Sequence, residues 1–155
     1  MKTYFVQETA VINAPPAHVY SIVADYHEGH QAILPREYFD EMIVTKGGQG
    51  AGTELIVRMS VLGTKVEYNM VVTEPEPGRV IQEEDASAGT ATTFTIEPTS
   101  SGEQSQVTIQ TAFTQKPGLQ GWLEKLINPS VTRRVYRAEL ANLNRVASST
   151  AQPIS

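Results

Sequence analysis

The chain has no cysteine in its 155 residues, which excludes disulfides, thiolate metal centres and cysteine nucleophiles and is compatible with a reducing compartment. A basic surplus is missing too. Twelve Lys and Arg stand against 17 Asp and Glu, a net charge of -5, whereas a nucleic-acid surface needs clustered cations to neutralise phosphates. No apolar run approaches the roughly 20 residues of a membrane span. The stretch Tyr4-Phe5-Val6 is interrupted by Gln7 and Glu8, too soon for a signal-peptide core. A cytoplasmic protein is expected, with no nucleic-acid partner and no stable membrane insertion. Two catalytic signatures are also absent. No Gly-Lys-Ser or Gly-Lys-Thr follows Gly47, Gly48, Gly50 and Gly52, and no Gly-x-Ser-x-Gly elbow occurs, so neither a phosphate loop nor hydrolase chemistry has motif support. No cofactor is expected.

What is present is a strong contrast along the chain. From Leu119 to Val146 the apolar residues Leu119, Trp122, Leu123, Leu126, Ile127, Val131, Val135, Ala138, Leu143 and Val146 recur mostly at steps of three and four, predicting one long helix with one buried face. Glu124, Lys125, Arg133, Arg134, Arg137, Glu139 and Arg145 are assigned to its solvated face. Pro129 predicts a kink or break near Ile127 and Asn128, because proline lacks an amide donor and crowds the preceding turn. The rest is rich in strands: 3–13, 39–46, 53–60, 64–74, 79–85, 91–98 and 105–115, separated by glycine, proline and serine turns. Asn13 followed by Pro15 and Pro16 predicts the start of a first helix whose inner face carries Val19, Ile22, Val23 and Tyr26. A second short helix is expected within 30–38, limited by Pro35. Alternation puts Val107, Ile109, Thr111 and Phe113 on one face of the last strand, and Val66, Tyr68, Met70 and Val72 on one face of an earlier one. Residues 1–147 are expected to form one domain and 148–155 a disordered tail.

This order resembles the START-like superfamily with its helix-grip fold, the polyketide cyclase and dehydrase-like proteins. The stretch Ile12-Asn13-Ala14-Pro15-Pro16-Ala17-His18-Val19-Tyr20 is similar to that family's passage from strand one into helix one. Gly50-Ala51-Gly52-Thr53-Glu54-Leu55 resembles its glycine-rich hairpin, and Thr92-Thr93-Phe94-Thr95-Ile96 with Val107-Thr108-Ile109 its last two strands. The resemblance covers about residues 3–147. It implies an α+β helix-grip fold: a seven-stranded curved antiparallel sheet wrapped around a long C-terminal helix, with two short helices after strand one. It also implies a cavity between helix and sheet that takes a small hydrophobic molecule such as a lipid, polyketide or quinone. These are packing and turn signatures, so they specify the fold and leave the activity open.

Candidate ligand contacts follow from both lines: Tyr26, His30, Tyr38, Arg58, Tyr68, Met70, Phe94, Phe113, Trp122 and Leu126. His27 and His30 have no evident third ligand and Gly29 lies between them, so no metal site is assigned. Strand 53–60 has apolar residues in both alternating sets. With Leu55, Val57 and Met59 inward, Arg58 is solvated and pairs with Glu67; with Glu54, Ile56 and Arg58 inward, Arg58 anchors a carboxylate or stabilises an enolate. The second facing would suit a polyketide cyclase, aromatase or dehydratase with Arg58 and Tyr68 as catalytic groups. A chaperone-like interaction module of the same fold is a third alternative and would require an exposed apolar patch. The clusters Glu74 with Glu76, and Glu83 with Glu84 and Asp85, are read as solvated surface.

Overall fold

A computed structural model describes residues 3–114 and 129–150. The β-branched and aromatic residues at the start form β1 (Thr3–Ile12), and α1 (Pro16–Ala24) follows, burying Val19, Tyr20, Ile22 and Val23 at the spacing of one helical face. Asn13 does not cap this helix. Pro16 has no amide hydrogen to offer a cap; instead the Asn13 side chain accepts from Gln104 Nε2 at 2.5 Å, and its backbone amide donates to Asn144 Oδ1 at 2.8 Å. The short α2 (Gly29–Ile33) sits directly on α1 because residue 29 has no side chain: a Cβ there would lie 2.6 Å from the Ile22 carbonyl oxygen. That close approach carries His30 into the interior.

Six strands then run as a meander: β2 (Phe39–Lys46), β3 (Glu54–Val61), β4 (Thr64–Glu76), β5 (Val80–Asp85), β6 (Thr90–Pro98) and β7 (Ser105–Thr114). Every neighbouring pair is antiparallel, and β1 closes onto β7, giving the order β1-β7-β6-β5-β4-β3-β2. The glycines between β2 and β3 meet the conformational demand of their loop, with φ of +68°, +139°, +55° and +91° at Gly47, Gly48, Gly50 and Gly52. Within β3, Leu55 and Val57 are buried and Arg58 is exposed, so the first of the two possible facings is the one adopted.

The last element, α3 (Pro129–Thr150), is 22 residues, or about 33 Å. Pro129 is its first described residue; the expected turns at 119–128, and with them the expected kink or break near Ile127 and Asn128, lie outside the described residues. Val131, Val135, Tyr136, Leu140, Leu143 and Ala147 form the buried face. The helix continues past Val146, because Ala147 is buried and the Ser149 hydroxyl donates to the Val146 carbonyl at 3.1 Å; Ser148 and Ser149 are thus helical, and only 151–155 of the expected tail lies outside the described residues. α3 packs on β1, α1 and α2. The core combines Ile12, Val23, Leu55, Ile81, Phe94, Ile96, Ile109 and Leu143 from sheet and helices. Among the described residues no helix is long and apolar enough to cross a membrane.

Candidate functional site

Between α3 and the inner face of the sheet lies a cavity of about 850 Å³, its open mouth included. Its walls are apolar: Phe39 and Met42 from β2, Val57, Met59 and Val61 from β3, Val66 and Met70 from β4, Phe94, Phe113, and Val131 and Val135 from α3. Such walls exclude water and place few demands on ligand shape, the methionines least of all.

One part of the lining is polar, and the strand register explains it. Glu83 lies opposite Thr92, and Thr92 opposite Thr111, so three adjacent strands point a carboxyl and two hydroxyls inward in one row. Thr92 and Thr111 hydrogen-bond at 2.7 Å, and Thr111 bonds in turn to the Tyr136 hydroxyl on α3. His30 meets the end of this row. Its Nε2 is 3.2 Å from Glu83 Oε1 and 3.9 Å from Glu139 Oε1. The other ring nitrogen, Nδ1, faces the Val23 carbonyl at 2.7 Å and therefore carries the hydrogen, since a carbonyl only accepts. Tyr26 stacks on the imidazole at 4.5 Å, Phe94 meets it edge-on at 5.4 Å, and the Tyr26 hydroxyl donates to Glu83 Oε1 at 3.2 Å.

Burial sets the electrostatics here. It pushes the Glu139 carboxyl well above the usual carboxylate range, and the nearby charge of Glu83 adds to the effect. Glu83 is raised as well, again by burial, although His30 and the Tyr26 hydroxyl pull it down. Burial thus favours the protonated form of both carboxyls beside the imidazole. Tyr26 and Tyr136 are both raised, chiefly by burial, so their phenols stay neutral. Tyr68 is likewise raised by burial and then by Asp85; its hydroxyl has no hydrogen-bond partner among the described residues. The cavity lining also holds a buried hydroxyl, that of Thr90, with no partner among the described residues.

Of the residues expected from sequence, His30, Tyr68, Met70, Phe94 and Phe113 line the cavity. Tyr26 lies behind His30 and acts on the lining through it. Tyr38 is half-buried and packs against the core outside the lining. Trp122 and Leu126 fall outside the described residues. Arg58 requires correction: strand alternation turns it outward, where Nη1 meets Glu41 at 2.6 Å and Nη2 meets Glu67 at 3.6 Å, so it is neither ligand anchor nor enolate stabiliser. His27 and His30 do not converge, since His27 Nε2 contacts the Gly47 carbonyl at the surface. Among the described residues no cluster has metal-holding geometry.

Three acids are also corrected. Glu83 and Asp85, read as solvated, are buried, because β5 alternates Ile81, Glu83 and Asp85 inward. Asp85 anchors the β5–β6 turn, accepting from the Ser87 hydroxyl and the Ala88 amide, and it takes the Asn69 amide as well. Glu139, assigned to the solvated face of α3, is 3% exposed. The signal was there: residue 139 is four after Val135, three after Tyr136 and four before Leu143, the spacing of the buried face.

The sequence profile of a family described as polyketide cyclase / dehydrase and lipid transport matches residues 5–148. Curated proteins give no match to the sequence. Several solved structures share the fold. The KanY protein (ms6282), solved in solution, is 28% identical, with 96% of this chain and 99% of that one covered and a TM-score of 0.80. The Zhui aromatase/cyclase from Streptomyces sp. R1128 is 18% identical over 97% of each chain, with a TM-score of 0.76. TTHA0849 from Thermus thermophilus is 21% identical over 96% of this chain and 100% of that one, with a TM-score of 0.75.

Proposed function

The chain belongs to the polyketide cyclase / dehydrase and lipid transport family, and on that premise we propose that it binds a small hydrophobic ligand in the cavity between α3 and the sheet. The observation that carries this reading is the cavity itself, walled by methionine, valine and phenylalanine, with His30, Glu83 and Glu139 together at one part of its lining. That division suits a ligand with an apolar body and one polar end, since burying the body supplies affinity and the polar groups fix its orientation. A lipid, a polyketide or a quinone-like molecule has this form. The test is extraction of the purified protein under native and denaturing conditions, with mass spectrometry of what is released. A stoichiometric apolar compound is expected; a protein that releases none and takes up no apolar fluorescent probe would contradict the reading.

A second reading is catalysis in the same cavity, of the cyclase, aromatase or dehydratase type. The observation favouring it is the grouping of an imidazole 3.2 and 3.9 Å from two carboxyls that burial shifts upward, the arrangement general acid and base chemistry uses. Arg58 has no part in it. Turnover of a poly-β-ketone that is lost in Glu83→Gln while ligand binding persists would move this reading ahead of simple binding.

A further inference from the structure

Glu139 stands apart from the other buried polar groups of the cluster. Glu83 accepts from Tyr26, His30 donates to Val23, and Tyr136 bonds to Thr111. Glu139 is 3% exposed and turned into the cavity, and among the described residues it makes no hydrogen bond; its nearest charged partner is His30 Nε2 at 3.9 Å. The carboxyl opens onto the cavity space, where a ligand can supply the hydrogen bond that no described residue makes to it. The charge balance says what kind. No Lys or Arg is among the described residues lining the cavity. An incoming carboxylate or phosphate would lose its hydration facing two acids and one imidazole already in contact with Glu83.

Resting on the binding function proposed above, we propose that Glu139 is the ligand-recognising residue of the cavity, donating its carboxyl proton to an uncharged oxygen acceptor, a ketone-type carbonyl, at the leading end of the ligand, and that the same acidic end rejects anionic ligands such as fatty acids. The bond formed is O–H···O=C; no covalent bond changes. Burial favours the protonated form of Glu139, in which the carboxyl is a donor, whereas an exposed carboxylate only accepts.

The test compares four probes with one ring system: naphthalene, 2-acetylnaphthalene, 2-naphthoate and 2-naphthylmethylammonium, titrated by fluorescence into the wild-type protein, Glu139→Gln, Glu139→Leu and the surface control Arg58→Gln. The ketone is expected to bind at least about fivefold more tightly than naphthalene, one hydrogen bond's worth, and 2-naphthoate at least about tenfold more weakly than the ketone. Glu139→Leu should bring the ketone down to the level of naphthalene. Glu139→Gln, which still has a donor, should retain most of the ketone preference and admit 2-naphthoate. Equal binding of ketone and carboxylate by the wild type, or a ketone advantage that survives Glu139→Leu, overturns the proposal. So does tightest binding of the ammonium probe, lost in both Glu139 variants, which would make the site an ion-pairing one. If naphthalene binds without discrimination among the others, only the anchor falls; if no probe binds, the binding function falls with it.

Discussion

The protein contains the same small set of charges twice. On the outer face of the sheet, Arg58 lies between Glu41 and Glu67; inside, His30 lies between Glu83 and Glu139. Each is one base and two acids. The outer side chains are 46%, 49% and 50% exposed, the inner ones 1%, 8% and 4%. Water screens the first set, so its short contacts contribute little. The second set is buried, so the charged form of its carboxyls is disfavoured and its hydrogen bonds count for more. Two glutamates flank the base in each set, and burial separates the two.

The largest effect should come from breaking the inner set at its centre. His30→Ala leaves two carboxyls facing each other and removes the ring stacked on Tyr26; a loss of about 3–5 kcal/mol is expected in urea unfolding at neutral pH. A loss below about 1 kcal/mol would show that His30 does not hold the acids together.

Next is Glu139. Its folded pKa is raised above the ordinary 4.5, so between about pH 4.5 and that raised value the folded state binds more protons than the unfolded one. Stability from this group is therefore fully present below about pH 4.5 and declines as pH rises through the window. His30, Glu83 and Tyr136 face it and are common to both proteins compared. Glu139→Leu should be more stable than wild type by about 1–2 kcal/mol at pH 8, with the gap closing toward pH 4.5. A gap independent of pH would contradict a buried, protonated Glu139. Asp25, Asp85 and Glu74 are lowered instead; their contribution is present above the ordinary range and lost as pH falls, and it cancels in the difference.

Tyr26→Phe removes the hydroxyl that donates to Glu83 while keeping the ring on His30, and about 1 kcal/mol should be lost. Thermal melts at neutral pH would show it, and no change would mean that Glu83 is satisfied without Tyr26. The smallest effect belongs to the outer set. Arg58→Gln should leave the urea midpoint within error and alter probe affinity by less than about twofold; a larger change in affinity would restore Arg58 to the site.

The sheet was legible because its strands alternate and its turns carry glycine and proline, as in Val107, Ile109 and Phe113 followed backward to the Ser100–Gly102 turn. Arg58 was not decidable, since Leu55 and Ile56 give both faces apolar residues and only pairing with β2 and β4 settles which is inside. Glu83 and Glu139 were misassigned for a physical reason. Carboxylates are rarely buried, so charge outweighed position, although Ile81 two residues before Glu83 and Val135 four before Glu139 placed both on inner faces. The convergence of Glu83, Thr92 and Thr111 with His30 depends on strand register and on the Gly29 contact, and neither is a local property of the sequence.

Three of the four methionines, Met42, Met59 and Met70, line the cavity, so methyl-labelled methionine reports directly on its occupation. Titration of the labelled protein with 2-acetylnaphthalene, followed by carbon–proton correlation spectra, should shift all three methyl resonances saturably and together. Methyl signals that stay in place in a folded protein, across the range where the probe is soluble, would contradict the claim that this cavity binds a ligand.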